Sequence, residues 1–252
     1  MKSVIVCEGP DDFWFLAYYL NKKANWDDCP DIKRIWSNYE IPQENKKQTV
    51  GYYSKGIDCV AIWNVNGKDS IPNALDVIFN KLIADYPFDP IESIVIVRDR
   101  DNDSELDILS SLQQLISCGI ILKNRESSFR ETTIDGYQVI TRITPIIIPI
   151  EESGAIETVL LNSIKEKNLE SSIVVEEACK YIQSLVDNPS VGVEYLHHEG
   201  EIVKAKYASA IAVTNPKHST ALFQEMVMCC PWETSQSVAK HFDPVLNAIT
   251  TS

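Results

Sequence analysis

Positive charge is what this sequence has least of. Lysine and arginine together number 23 against 36 aspartates and glutamates, for a net charge of −13 and a pI near 4.8. That balance excludes a protein whose whole surface is a cationic footprint for nucleic acid. It leaves open an enzyme whose carboxylates hold cations, because a bound ion inverts the local field. The sequence also lacks any apolar run of membrane-spanning length, so no membrane partner is expected. Its first apolar stretch, Val4 to Cys7, is too short for a secretory signal. Seven cysteines, at 7, 29, 59, 118, 179, 229 and 230, form neither a CxxC pair nor a zinc spacing. An odd set of free thiols without a leader predicts a reducing cytoplasm. There is no GxxxxGK[ST], hence no ATPase module, and there are no repeats or low-complexity tracts.

What is present is ordinary globular composition, 44% hydrophobic and 23% charged. A chain of 252 residues is long enough for one large α/β domain or two small ones. Val4-Ile5-Val6-Cys7 has the β-branched, unbroken apolar pattern of a strand buried on both faces. Asp58 to Trp63 and Ser93 to Val97 repeat it. A helix is predicted after each: Phe13 to about Leu20, Pro72 to about Asp85, and Glu105 to about Ser117 with Leu106, Leu109, Leu112, Leu115 and Ile116 inward. Thr132 to Ile140 reads as a hairpin turning at Asp135-Gly136. Ile146 to Ile150 reads as a further strand, with Pro149 at its end. The stretch from Lys22 to Lys55 has no assignable pattern. Alternation of this kind predicts a mainly parallel sheet flanked by helices over 1–165. A mainly helical region is expected over 166–252, with segments at Val174–Val186, Ile202–Val213 and Ser219–Met228.

Three acidic clusters follow buried-type strands: Glu8 with Asp11 and Asp12, Asp99 with Asp101 and Asp103, and Glu151 with Glu152 and Glu157. In a parallel sheet they would meet at the carboxyl edge, where α/β folds bind ligands. Such a concentration of negative charge costs free energy unless cations neutralise it. On an extended chain Asp99 and Asp101 point to one side and can bracket a hard cation, with Glu8 as a third oxygen ligand. All-oxygen ligation suits Mg²⁺ or Mn²⁺ rather than zinc. The plain alternative is that such acids cap helices and line solvated loops, and Asp12 and Asp103 fit that role.

The strand ending Val6-Cys7-Glu8-Gly9, followed later by one ending Val97-Arg98-Asp99-Arg100-Asp101, resembles the Toprim fold of topoisomerases, bacterial primases and the overcoming-lysogenization-defect nucleases. The resemblance covers about residues 3–160 and implies a Rossmann-like α/β sheet. It implies that Glu8 is an acid/base or metal-binding glutamate and that Asp99 and Asp101 ligate Mg²⁺. Small stand-alone relatives of the nuclease group look nearest. There, Asp12 matches a second acid four residues after the glutamate, and Glu157 an acid after a later strand. Lys204 or Lys206 matches a lysine that stabilises charge on phosphate. Ala155 stands where those nucleases carry a polar or acidic residue.

Lys68, in Gly67-Lys68-Asp69 after the second strand, is a further candidate phosphate contact. His197-His198-Glu199 reads as a loop, Cys229-Cys230 as packing, and Trp14, Tyr18 and Tyr19 of the first helix as core, with a solvent- or partner-facing Tyr19 as the alternative. The expected activity is Mg²⁺-dependent phosphoryl transfer, as a nuclease on DNA or RNA. Unaided grip on nucleic acid should be weak, so a protein partner or homo-oligomer is expected. A non-catalytic metal- or nucleotide-binding module with the same fold is the alternative. A phosphorelay receiver, which also gathers acids at strand ends, fits the chain length and acid spacing poorly.

Overall fold

Three apolar runs form the dry centre of a mixed sheet. The computed structural model describes residues 1–29, 41–42, 46–116 and 120–250; Lys33-Arg34, Ser117 and Cys118 lie outside them. The strands are β1 (Lys2–Cys7), β2 (Asp27–Asp28), β3 (Thr49–Lys55), β4 (Asp58–Asn64), β5 (Ser93–Asp99), β6 (Ser128–Ile134) and β7 (Tyr137–Ile148). Among the described residues their spatial order is β2-β3-β4-β1-β5-β7-β6. β1 runs parallel to both neighbours, with Val4 opposite Ala61 of β4 and Ile94 of β5. β5 and β7 also advance together: Arg142 donates its N–H to the Glu92 carbonyl, and Arg100 to that of Ile148. The β2–β3, β3–β4 and β6–β7 pairs are antiparallel.

The sheet is therefore mixed, a parallel centre with antiparallel edges, where a mainly parallel one was expected. The difference comes from β3, inside the unassigned polar stretch, and from the hairpin. Asp135 and Gly136 make the expected turn with φ of 49° and 84°. The returning strand, however, continues without a break to Ile148. Arg142 and Thr144 interrupt its apolar pattern, so one long strand reads as two short ones.

The chain divides into two compact units, one of Met1–Arg98, Ser104–Ile147 and Asp243–Ser252, the other of Asp99–Asp103 and Ile148–Phe242. The division falls at 147/148 rather than 165/166, and the last residues return to the first unit.

In the first unit, α1 (Pro10–Ala24) begins with proline, whose missing N–H is no loss at a helix start. It is longer at both ends than predicted. Tyr18 and Tyr19 are buried core residues as read, and Tyr19 donates to Asp243 at 2.7 Å rather than facing solvent. α2 (Ile71–Val77) runs on through a wider π-helical turn, Ile78–Ile83. α3 (Glu105–Ile116) turns Ile108, Leu109, Leu112 and Ile116 inward. Leu106 is 76% exposed and Leu115 also faces out, because an i+3 series drifts off a 3.6-residue stripe. Val4, Val6, Trp63 and Ile96 share one apolar cluster with Leu75, Ile78 and Leu112. Ile5, Cys7, Ile62 and Val95, on the other sheet face, are equally buried.

In the second unit α4 (Ile156–Lys165), α5 (Leu169–Val186) and α7 (Glu199–Thr214) pack on one another pairwise, with α6 (Pro189–Tyr195) against α5. α8 (Phe223–Met228) is shorter than expected. α9 (Gln236–Ile249) was not foreseen and carries the chain back into the first unit.

Burial pushes the Cys59 thiol from 9.0 up to about 11, and Tyr53, desolvated beside Asp28, up to about 12. The native state thus keeps protons that the unfolded chain releases earlier, so this stability is complete below pH 9 and lost as pH rises towards 11. Denaturant unfolding at pH 8, 9, 10 and 11 should show that decline, and Cys59→Ala should flatten it; an unchanged slope would contradict the assignment.

Candidate functional site

In the first unit the carboxyl edge of the sheet is built around Glu8. The strand ladder continues past Cys7, whose carbonyl accepts from Val65 N–H at 3.0 Å. Gly67 N–H then donates to the Glu8 carbonyl at 2.7 Å. That turn requires Asn66 and Gly67 at φ of 63° and 113°, conformations that asparagine and glycine accept most readily. It delivers Lys68 to the surface next in sequence, as an exposed residue. The Glu8 carboxylate faces Arg98, with Nε 3.3 Å from Oε1 and side chains 11% and 13% exposed. Such a buried pair contributes little net stability, but removal of one member leaves an uncompensated charge.

Asp12 points back along its own helix, and its Oδ2 accepts the Gly9 N–H at 2.9 Å. This caps the helix start one way only, since the N-cap Gly9 has no side chain to return a bond, and it is the plain reading of that acid.

In the second unit the Asp99–Asp103 segment is pinned by backbone bonds. Arg100 donates its N–H to Ile148 and its guanidinium to the Ile150 carbonyl. Asp101 and Gly154 exchange both backbone hydrogen bonds, at 2.7 and 2.9 Å. Asp101 has φ of 49°, so it has left the strand and does not extend the Asp99 side of it, as the sequence reading supposed. Gly154 has φ of 133°, and a Cβ there would lie 2.2 Å from Thr158 Oγ1. Glycine at this position lets the loop before α4 approach the Asp-x-Asp loop.

Glu157, in the first turn of α4, is buried, and Lys204 of α7 reaches it with Nζ 3.7 Å from Oε1. Of the two candidate lysines the structure brings Lys204 to this acid. Lys206, two residues on, lies roughly 200° round the helix. Glu151 pairs with Lys240 at 2.7 Å, and Glu152 accepts from Asn162 at 2.8 Å. His241, which sequence reasoning missed, has its Nδ1 against the Ser237 carbonyl at 2.7 Å and accepts the Ile150 N–H on Nε2 at 3.2 Å. That arrangement fixes one neutral tautomer and holds the strand exit. Arg98 was missed as the partner of Glu8, although a charge closing an apolar strand was its visible signal. His197 and His198 lie in the loop as read, their ring centroids 4.1 Å apart and tilted by 56°, and Glu201 accepts the backbone N–H of His198, the N-cap of the following helix.

Among the described residues no three His, Cys, Asp or Glu side chains form a group that could hold an ion. The expected set of Glu8, Asp12, Asp99, Asp101 and Glu157 is thus not gathered as one cage: Asp12 caps, and Glu157 faces Lys204. The donor chemistry still suits a hard cation. At Glu8 a cation already stands in, the Arg98 guanidinium.

The fold and these strand-end carboxylates define an α/β protein with a mixed sheet and a helical second unit. The chain belongs to the family described as protein of unknown function (DUF3226), whose model matches residues 2–251. It is similar in structure to the hypothetical protein PH0156 from Pyrococcus horikoshii OT3, at 14% identity and a TM-score of 0.44, over 92% of this chain and 97% of that one. No curated protein matches it. No described helix is long and apolar enough to cross a membrane.

Gly154→Ala should cost about 2–4 kcal/mol, from backbone strain plus displacement of Thr158. Urea unfolding checks this, and a loss below about 1 kcal/mol would show that the loop yields easily.

Proposed function

We propose that this protein is a divalent-metal-dependent phosphoryl-transfer protein of the Toprim type, acting as a nuclease on DNA or RNA. One observation carries the reading. β1 and β5 are adjacent and parallel, with Cys7 opposite Val97, so Glu8 and Arg98 follow at the same sheet edge, and Asp99 is the next residue of the chain. Ligands of open α/β sheets bind beyond that edge.

In this reading Asp99 and Asp101 are the ligands of Mg²⁺ or Mn²⁺, and Glu8 is a ligand or the general base. When bound, the ion polarises the phosphate and lowers the pKa of the attacking water. Lys204, oriented by Glu157, offers its ammonium to charge developing on phosphate oxygens. Lysine suits that task because its compact charge rides on a flexible stem, and the Lys204 side chain is 63% exposed. Lys68 is a second phosphate contact. A surface with a net charge of −13 meets a polyanion only through such local cations, a metal, a second copy or a basic partner.

The Glu8–Arg98 pair favours a second reading, in which the fold binds a metal ion or nucleotide and cleaves nothing.

Purified protein with Mg²⁺ or Mn²⁺, incubated with plasmid, single-stranded DNA and RNA, separates the two. Cleavage should fall about a hundredfold or more in Asp99→Ala. It should fall in Lys204→Ala and stay near wild type in Lys206→Ala. Cleavage that survives Asp99→Ala sinks the nuclease reading, and metal binding without any cleavage favours the module.

A further inference from the structure

We propose that Lys46, Lys47 and Lys68 form one cationic ridge at the carboxyl edge of the first unit's sheet, a grip for the phosphodiester backbone of nucleic acid. This rests on the reading of the protein as one that acts on nucleic acid. It adds the surface that meets the substrate, and no metal ion takes part in it.

Two short segments are fastened side by side at the end of β4. Asn64, wholly buried, donates from Nδ2 to the Lys47 carbonyl at 3.1 Å. Gln48, also buried, donates from Nε2 to the Val65 carbonyl at 3.3 Å. Thr49 lies opposite Asn64 where the β3–β4 ladder ends. Lys46 and Lys47 therefore stand on the turn that enters β3, and Lys68 on the turn that leaves β4. The second turn is fixed in its own right. Asn64 Oδ1 accepts the Asn66 N–H at 2.9 Å, and the Glu8 carbonyl accepts that of Gly67 at 2.7 Å. Buried amide side chains cost free energy unless they are hydrogen-bonded. Here both are bonded across the join, so the backbone under the lysines is set while their side chains lie exposed.

The local charge is a separate observation. Residues 46–49 and 64–70 hold three lysines against one acid, Asp69, in a chain whose totals are 23 cations and 36 acids. The sign of the charge is thus reversed at this edge. The neighbouring Glu8–Arg98 pair is neutral as a unit and does not cancel it. Phosphates recur along a strand, and a compact ammonium on a flexible stem meets each without a fixed plane of approach. Such contacts hold and position a strand without reading its bases.

The test measures binding in EDTA, where metal-dependent cleavage is silent. Fluorescence anisotropy of labelled single-stranded DNA, RNA and duplex DNA is followed across a KCl series. Wild type is compared with the triple variant Lys46→Gln/Lys47→Gln/Lys68→Gln and with Lys22→Gln/Lys23→Gln. The control lysines are exposed in the last turn of α1, about 20 Å from the start of that helix. The triple variant should bind at least about tenfold more weakly at low salt. Its plot of log affinity against log salt should flatten by about 0.7 for each lysine lost on a single strand. The control should keep the wild-type slope, and circular dichroism should show all three proteins equally folded.

A wild type that binds none of the probes overturns the proposal. So does a triple variant with the wild-type slope, or equal flattening in the control, which would mean diffuse charge rather than a ridge. Lysine-dependent binding with no cleavage after metal is added removes the nuclease reading and leaves the ridge standing. Cleavage that needs Asp99, with a triple variant that binds as wild type does, removes only the ridge.

Discussion

Everything polar in the first unit is arranged around strands that are dry on both faces. Val4 to Cys7 of β1, Val60 to Trp63 of β4 and Ile94 to Val97 of β5 are all at or near zero exposure. A charge in the middle of such a strand would be desolvated without a partner, at a cost of several kcal/mol. Ionisable groups are therefore driven to the strand ends, and the first ones after β1 and within β5 are Glu8 and Arg98. Their pairing follows from register as much as from charge, since Cys7 sits opposite Val97. Of the polar groups buried along the strands, Ser93 is tied to the Ala248 carbonyl and Asn64 to that of Lys47, whereas Ser3 Oγ and Trp63 Nε1 make no hydrogen bond.

The same constraint explains what could be read from sequence. Unbroken β-branched runs are legible because both faces are buried, and all three central strands were found that way. β3 escaped because it borders β4 nearer the sheet margin, where Gly51 and Ser54 are tolerated and alternation blurs. Gly51 itself lies under the Phe13 and Tyr53 rings, a tertiary fact without a local signature. α9 escaped for a similar reason. It has a pronounced apolar face, but Pro244 inside it reads as a helix break. The acidic clusters were legible as clusters, yet the partner of each acid was not, because Arg98, Lys204 and Lys240 come from elements far away in sequence.

Those partners change how the negative charge is understood. Several of the carboxylates are put to structural use at helix starts. Asp12 closes the start of α1. Glu166 accepts from Ser235 Oγ and the N–H groups of Gln236 and Ser237, and so caps α9. Glu201 does the same for α7 through His198. Helix N-termini carry partial positive charge and unsatisfied N–H groups, so carboxylates collect there without any ligand. An acidic composition alone is therefore poor evidence for a metal centre. The buried acids Glu8 and Glu157 are the informative ones.

Each of those two acids has a cation, and the cations differ in kind. Arg98 is itself mostly withdrawn from solvent, and its guanidinium meets Glu8 as a close charge contact, with Nε 3.3 Å from Oε1, rather than as a hydrogen bond. Lys204 spans from solvent to a buried carboxylate, with most of its side chain in water and its charge at the tip. Moving that tip to a nearby phosphate costs little more than one weak, screened attraction. The asymmetry assigns the two pairs different work under the proposed chemistry. Under that proposal Glu157 holds a lysine near the substrate, whereas Glu8 and Arg98 face each other. A chain built only for stability would gain nothing from the second arrangement, because an apolar pair of the same volume would serve as well or better.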